Sequence, residues 1–151
     1  MKFKIFQPPA PEHAAELMLR WEVLRKPLGM PPGSEVIPEE KECLHMIALD
    51  GRRVVGCVLF CPESTEKGKL FQMAFSEEYQ GKGFGRKLIV AMEDALEKRG
   101  YKDIYLHARE DSEGFYQKMG YQPEGDLIKY FSIPHRLMRK SLHSLPEELR
   151  I

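Results

Sequence analysis

Residues 70–86 read Leu-Phe-Gln-Met-Ala-Phe-Ser-Glu-Glu-Tyr-Gln-Gly-Lys-Gly-Phe-Gly-Arg. The apolar run Leu70, Phe71, Met73, Ala74 and Phe75 predicts a strand, which Ser76-Glu77-Glu78-Tyr79 interrupts. Gly81, Gly83 and Gly85 then alternate ahead of a long amphipathic segment that begins near Arg86. Glycines here let the backbone take positive φ and bring its amides close to a ligand. The helix that follows starts with unpaired N–H groups, which favour a phosphate. Strand, glycine loop and helix in this order point to a pyrophosphate-binding turn.

Spacing removes two owners of that pyrophosphate. A P-loop needs four residues between its glycines and then Lys with Ser or Thr, whereas Phe84 follows Gly83. A dinucleotide fingerprint needs glycine three residues after Gly83, where Arg86 stands. No acidic residue closes a strand about twenty residues on, since Tyr105-Leu106-His107 occupies that region. A glycine turn without a ligand stays open on these residues alone.

The flanking chain predicts the remaining elements. Lys2–Phe6 alternates as a half-buried strand, and Pro8, Pro9 and Pro11 end it. Ala14, Leu17, Met18, Trp21 and Leu24 recur at helical spacing to about Arg25, as the apolar face of a first helix. Residues 26–40, with four prolines and two glycines, form a long irregular loop of the kind that serves as a binding lid or a plain connector. Residues 43–49 and 52–60 read as a hairpin about Asp50-Gly51. Leu88, Ile89, Met92, Ala95 and Leu96 make the stripe of the helix after the glycines, and Arg99-Gly100 stops it. Tyr101–Ala108 is a fifth strand, Asp111 or Ser112 caps a short helix through Met119, and two strands follow to Leu142. The order is β-α-(loop)-β-β-β-α-β-α-β-β, an α/β fold with a mixed central sheet of six to seven strands flanked by helices. One domain over 1–143 and a solvated tail over 144–151 are expected.

Composition narrows the partners. Lys plus Arg (23) balances Asp plus Glu (23), so no overall field favours nucleic acid or an anionic membrane. No apolar run approaches the roughly 20 residues that span a bilayer, and the start lacks a signal peptide, so a cytoplasmic location is expected. Cys43, Cys57 and Cys61 are odd in number. With a turn at Asp50-Gly51, residue 45 faces 56 and residue 43 faces 58. Cys43 and His45 then lie on the opposite face from Cys57 and Cys61. Reduced core thiols and no metal site are the expectation.

Two motifs resemble a known family. Gln80-Gly81-Lys82-Gly83-Phe84-Gly85 is similar to the Gln/Arg-x-x-Gly-x-Gly/Ala signature of the GNAT superfamily of N-acetyltransferases. Met73–Tyr79 resembles its lead-in strand and turn, with Glu77 where many members carry proline. Phe115-Tyr116-Gln117-Lys118-Met119-Gly120-Tyr121 is similar to its Phe-Tyr-x-Lys-x-Gly-Phe/Tyr segment. Leu106-His107-Ala108 and Ile133-Pro134-His135-x-x-Met138 resemble features of one bacterial subset. The resemblance covers about residues 2–142 and implies a GNAT fold.

It also implies chemistry: transfer of the acetyl group of acetyl-CoA, a co-substrate, to a primary amine by direct attack in a ternary complex. Amides of Gly81–Arg86 would hold the pyrophosphate, with Gln80, Lys82 and Arg86 adjacent, and Met73, Ala74 and Phe75 would line the pantetheine arm. Tyr116 is implied as the acid that protonates the leaving thiolate. A base is less determined. Gln72, near a position where some members place glutamate, cannot serve. His107 titrates in the right range, Glu110 and Asp111 follow it, and a water chain is an alternative. Trp21, read first as core, and His135 are the acceptor-side candidates. An acyl-CoA sensor without turnover, or a transferase with another acyl-CoA or acceptor, is the alternative. The acceptor itself is unassigned, and a homodimer is the prior for assembly.

Overall fold

In a computed structural model, residues 1–142 are described, so the expected tail over 144–151 lies outside the described residues. Seven strands form one mixed sheet in the order β1-β2-β3-β4-β5-β7-β6. They are β1 (Lys2–Phe6), β2 (Leu44–Asp50), β3 (Arg53–Pro62), β4 (Lys67–Phe75), β5 (Asp103–Arg109), β6 (Gln122–Tyr130) and β7 (Ile133–Ser141). The helices are α1 (His13–Arg20), α2 (Phe84–Lys98) and α3 (Glu113–Lys118). All neighbouring strands are antiparallel except β4 and β5, which are joined in parallel through α2.

Alpha-2 buries its expected stripe: Leu88, Ile89, Met92 and Leu96 pack with Met46, Val58, Phe60 and Ile104 on one sheet face. Alpha-1 covers the other face, but not through the stripe read from its sequence. Ala14 and Met18 are exposed, while Glu16, Leu19 and Arg20 are buried. The reason is an ion network. Arg20 Nη1 donates to Glu16 at 2.9 Å and to Glu40 at 2.5 Å, and Nη2 donates to the Glu35 carbonyl at 2.5 Å. His45 lies within 2.7 Å of Glu16 and 2.8 Å of the Glu40 carbonyl, and His13 within 2.8 Å of Glu40. Burial alone would raise the Glu40 carboxyl. Arg20, His13 and the Ile37 amide outweigh it and hold the group at about 2. The 26–40 segment is thereby pinned against α1, with Trp21 Nε1 adding a bond to the Met30 carbonyl at 3.0 Å.

The β2–β3 hairpin corrects the cysteine reading. Its turn is Gly51-Arg52, and a bulge at Ala48/Leu49 moves the rest of the register by one residue, so that His45 faces Leu59 and Leu44 faces Phe60. That slip exchanges faces along the strand. Cys43 therefore sits across from Cys61, and the two sulfurs are joined as a disulfide. Cys57 alone is a free, buried thiol among the described residues.

Candidate functional site

Pairing between β4 and β5 covers only Lys67↔Asp103 to Lys69↔Tyr105. Beyond Lys69 the two strands part, so the β5-facing edge of β4 from Leu70 onward has no strand partner among the described residues and offers backbone groups to whatever enters the gap. A bulge in the β3–β4 register, between Cys57 and Leu59, lies opposite this stretch, and Gln72 there has φ 55°. The gap opens into a cavity of about 790 Å³, a size suited to a cofactor or drug-sized ligand.

The glycine turn closes one end. Gly81 (φ 73°) and Gly83 (φ 83°) hold positive φ, and Gly83 is the N-cap of α2. The first bond from the start of the helix is Lys87 N–H to the Gly83 carbonyl at 3.3 Å. The amides of Phe84, Gly85 and Arg86 thus precede the hydrogen-bonded ladder and are free to donate outward. No acidic residue stands in the first turn of α2, which keeps the positive end of the helix dipole uncancelled. Gln80 Nε2 donates to the Phe75 carbonyl at 2.8 Å and fixes the turn to the end of β4. A Cβ at Gly85 would come within 2.5 Å of the Met73 methyl, so the turn and the strand touch at this point.

Tyr116, from α3, lines the cavity. Its hydroxyl contacts Met73 Sδ at 3.6 Å, and its ring meets Phe115 and Tyr121 edge-on. Burial raises its hydroxyl to about 12, so it is protonated at neutral pH. His107 and His135 line the far end with Tyr130, whose hydroxyl is 3.4 Å from His107 Nδ1. Burial, then Lys69 and His135, push the His107 imidazole down, toward its neutral form. His135 donates Nδ1–H to the Ile133 carbonyl at 2.8 Å.

The cavity brings together Met73, Ala74, Phe75, Gln80, Gly81, Gly83–Arg86, Tyr116, His107 and His135. Lys82, Trp21, Glu110 and Asp111 do not line it. The 26–40 segment reaches it through Leu28, beside Arg25 at the end of the first helical stretch. Arg25 and Lys69 are cavity residues that no sequence motif marks. Their only signal is position, beside the long loop and at the last residue of β4 that pairs with β5.

Among the described residues no helix is long and apolar enough to cross a membrane. Residues 8–121 match the family model described as the acetyltransferase (GNAT) family. The chain is 31% identical over 103 residues to YyaT, an uncharacterised protein of Bacillus subtilis (strain 168), spanning 68% of this chain and 69% of that one. Its fold superposes on an acyl-CoA N-acyltransferase from Pseudomonas aeruginosa with TM-score 0.83 at 20% identity, covering 92% of this chain and 98% of that one. It superposes on an aminoglycoside 6'-N-acetyltransferase complexed with coenzyme A with TM-score 0.80 at 19% identity, covering 97% and 100%.

Proposed function

The chain belongs to the acetyltransferase (GNAT) family, and from that premise we propose that it transfers the acetyl group of acetyl-CoA to a primary amine inside the β4–β5 gap. The observation that carries the reading is the alignment along one strand of three things. They are the open edge of β4, the outward amides at the start of α2, and the Tyr116 hydroxyl beside Met73.

In this reading the amides of Gly81–Arg86 and the α2 dipole hold the pyrophosphate, and Arg86 adds charge. The unpaired β4 edge over Met73–Phe75 pairs with the amides of the pantetheine arm and places the thioester beside Tyr116. A backbone N–H of that edge donates to the thioester oxygen as negative charge develops on it. The amine nitrogen forms the new C–N bond, and the C–S bond breaks. The Tyr116 hydroxyl delivers its proton to the sulfur, and the amine's surplus proton leaves through neutral His107 or water. Products are the acetamide and the free thiol of CoA. His135 borders the acceptor end, whereas Trp21 anchors the 26–40 segment from outside the cavity.

Tyr116→Phe tests the assignment. General acid help is worth roughly 10²–10⁴-fold, so turnover should fall by at least about 100-fold while the CoA dissociation constant changes less than about twofold. Turnover within about threefold of wild type would remove Tyr116 from the chemistry.

A further inference from the structure

We propose that the acceptor is an amine bearing a carboxylate, of the α-amino acid type with an apolar or aromatic side chain, and that Arg25 and Lys69 receive the carboxylate. The inference rests on the acetyltransferase reading and concerns the end of the cavity that reading leaves without a partner.

Among the described residues, no aspartate or glutamate lines the cavity. An acceptor with several cationic groups needs carboxylates around it, as a buried charge without a partner is costly. This wall offers the opposite. Arg25 bonds to the carbonyls of Ser34 and Leu24 and, at 3.4 Å, to Gln72 Oε1. The Lys69 ammonium makes no hydrogen bond or ion pair among the described residues, and it stands over the rings of Phe71 and Tyr130 at 5.6 and 5.9 Å. Neither cation has a carboxylate within ion-pair distance among the described residues. The nearest acidic influences are indirect. Glu63 accepts the Tyr105 hydroxyl, and Glu39 and Glu35 act only at longer range. Burial lowers Lys69 despite Glu63 and Glu39, and it lowers Arg25 despite Glu35, with Arg20 adding to the fall. Both are cations held part-buried and short of counter-charge, the state that a bound anion relieves.

CoA phosphate does not answer them. Lys69 is the last residue of β4 that pairs with β5, and the glycine turn follows the other end of β4 at Phe75, about 20 Å of strand away at ~3.3 Å per residue, while Arg25 bonds Gln72, about 10 Å of strand short of that end. The groups around the two cations are aromatic. Phe131 lies under the Arg25 guanidinium at 5.6 Å, and Tyr130 stacks edge-on against His135. Phe131 itself takes φ 52° in the β6–β7 turn, and Gln72 takes φ 55° in the β4 bulge. Bulky side chains rarely accept positive φ, and both line the same wall. A carboxylate against Arg25 and Lys69, with an apolar side chain against Phe71, Tyr130 and Phe131, directs the neighbouring amine toward His107 and the middle of the cavity.

The test pairs a rate with a binding measurement on the full chain. Acetyl-CoA-dependent thiol release is measured with phenylalanine, phenylalaninamide and a polycationic aminoglycoside, for wild type, Arg25→Gln and Lys69→Met. Calorimetry on the CoA-saturated protein compares N-acetylphenylalanine with N-acetylphenylalaninamide. The proposal expects at least about a tenfold higher kcat/KM for the amino acid than for its amide, and the weakest rate with the polycation. It expects at least about a tenfold rise in KM for the amino acid in either variant, with the amide nearly unaffected. It expects a matching preference for the acetylated acid in calorimetry. Lys69→Met removes no hydrogen bond among the described residues, so it reads the site even if Arg25→Gln disturbs the loop. Transfer to amides or polycations as good as to the acid overturns the acceptor class and leaves the acetyltransferase reading standing. Carboxylate-selective binding, lost in the variants, without any transfer supports the anion site and overturns the transferase reading. Equal binding of acid and amide, with or without transfer, overturns the proposal.

Discussion

Glu40→Gln should separate the buried network's contribution from the rest of the fold. In the folded chain the Glu40 carboxyl is held at about 2, against an ordinary value of 4.5. That fall, at about 1.36 kcal/mol per pH unit, corresponds to roughly 3 kcal/mol of stability tied to its ionised form. Because the folded value is depressed, the contribution is complete above about pH 4.5 and is lost as pH falls toward 2. At pH 3 the same linkage leaves less than half of it. Glutamine keeps the shape but leaves Arg20, His13 and the Ile37 amide facing a neutral group, and breaking one side of a buried pair costs about 3–5 kcal/mol. Urea unfolding read by the single Trp21, whose neighbour Arg20 is the centre of the network, measures it directly. At roughly 1–3 kcal/mol per molar urea, the midpoint of the variant at pH 7 should lie about 1–3 M below wild type. The gap should narrow by more than half between pH 7 and pH 3. A midpoint within about 0.3 M of wild type, or a gap that stays constant with pH, would refute the account of the 26–40 segment as held by that ion network.

Two further outcomes follow from the cavity and from the hairpin. Gly85→Val forces the Met73 methyl aside. The displaced thioether moves into the path assigned to pantetheine, so the CoA dissociation constant should rise about tenfold by calorimetry; a change under twofold would clear the turn of that role. Thiol titration of the unfolded protein should count one reactive thiol, Cys57, before reduction and three after it. Reduction, or Cys61→Ser, should also lower stability by about 3 kcal/mol, as expected for a loop of this length; three thiols before reduction would mean Cys43 and Cys61 are unpaired.

What the sequence made legible were the features enforced by local geometry. The glycines at 81, 83 and 85, the α2 stripe and the Phe115–Tyr121 segment each imposed a backbone or packing pattern that has few alternatives. The element order followed from them. The apolar period of α1 does not mark its buried face, because Glu16 and Arg20 sit inside, paired with each other and with Glu35, Glu40 and His45, fifteen or more residues further along the chain. An ion network of that kind leaves no periodic trace. Hairpin parity failed for a different reason. One extra residue at the β2–β3 bulge exchanges faces, and Val54-Val55 looks the same in the sequence whether or not it bulges. Arg25 and Lys69 were invisible as site residues, since a cation short of counter-charge is a property of the folded wall and not of any motif.

The central claim is that acetyl-CoA lies along the open edge of β4 with its pyrophosphate on the turn before α2. Amide hydrogen exchange of the full chain with and without saturating acetyl-CoA tests this most directly. The account predicts slowed exchange at the amides of residues 81–86 and along 70–75, with little change on β1 and β2. Binding without protection of the 81–86 amides, or protection confined to the other face of the sheet, would contradict it.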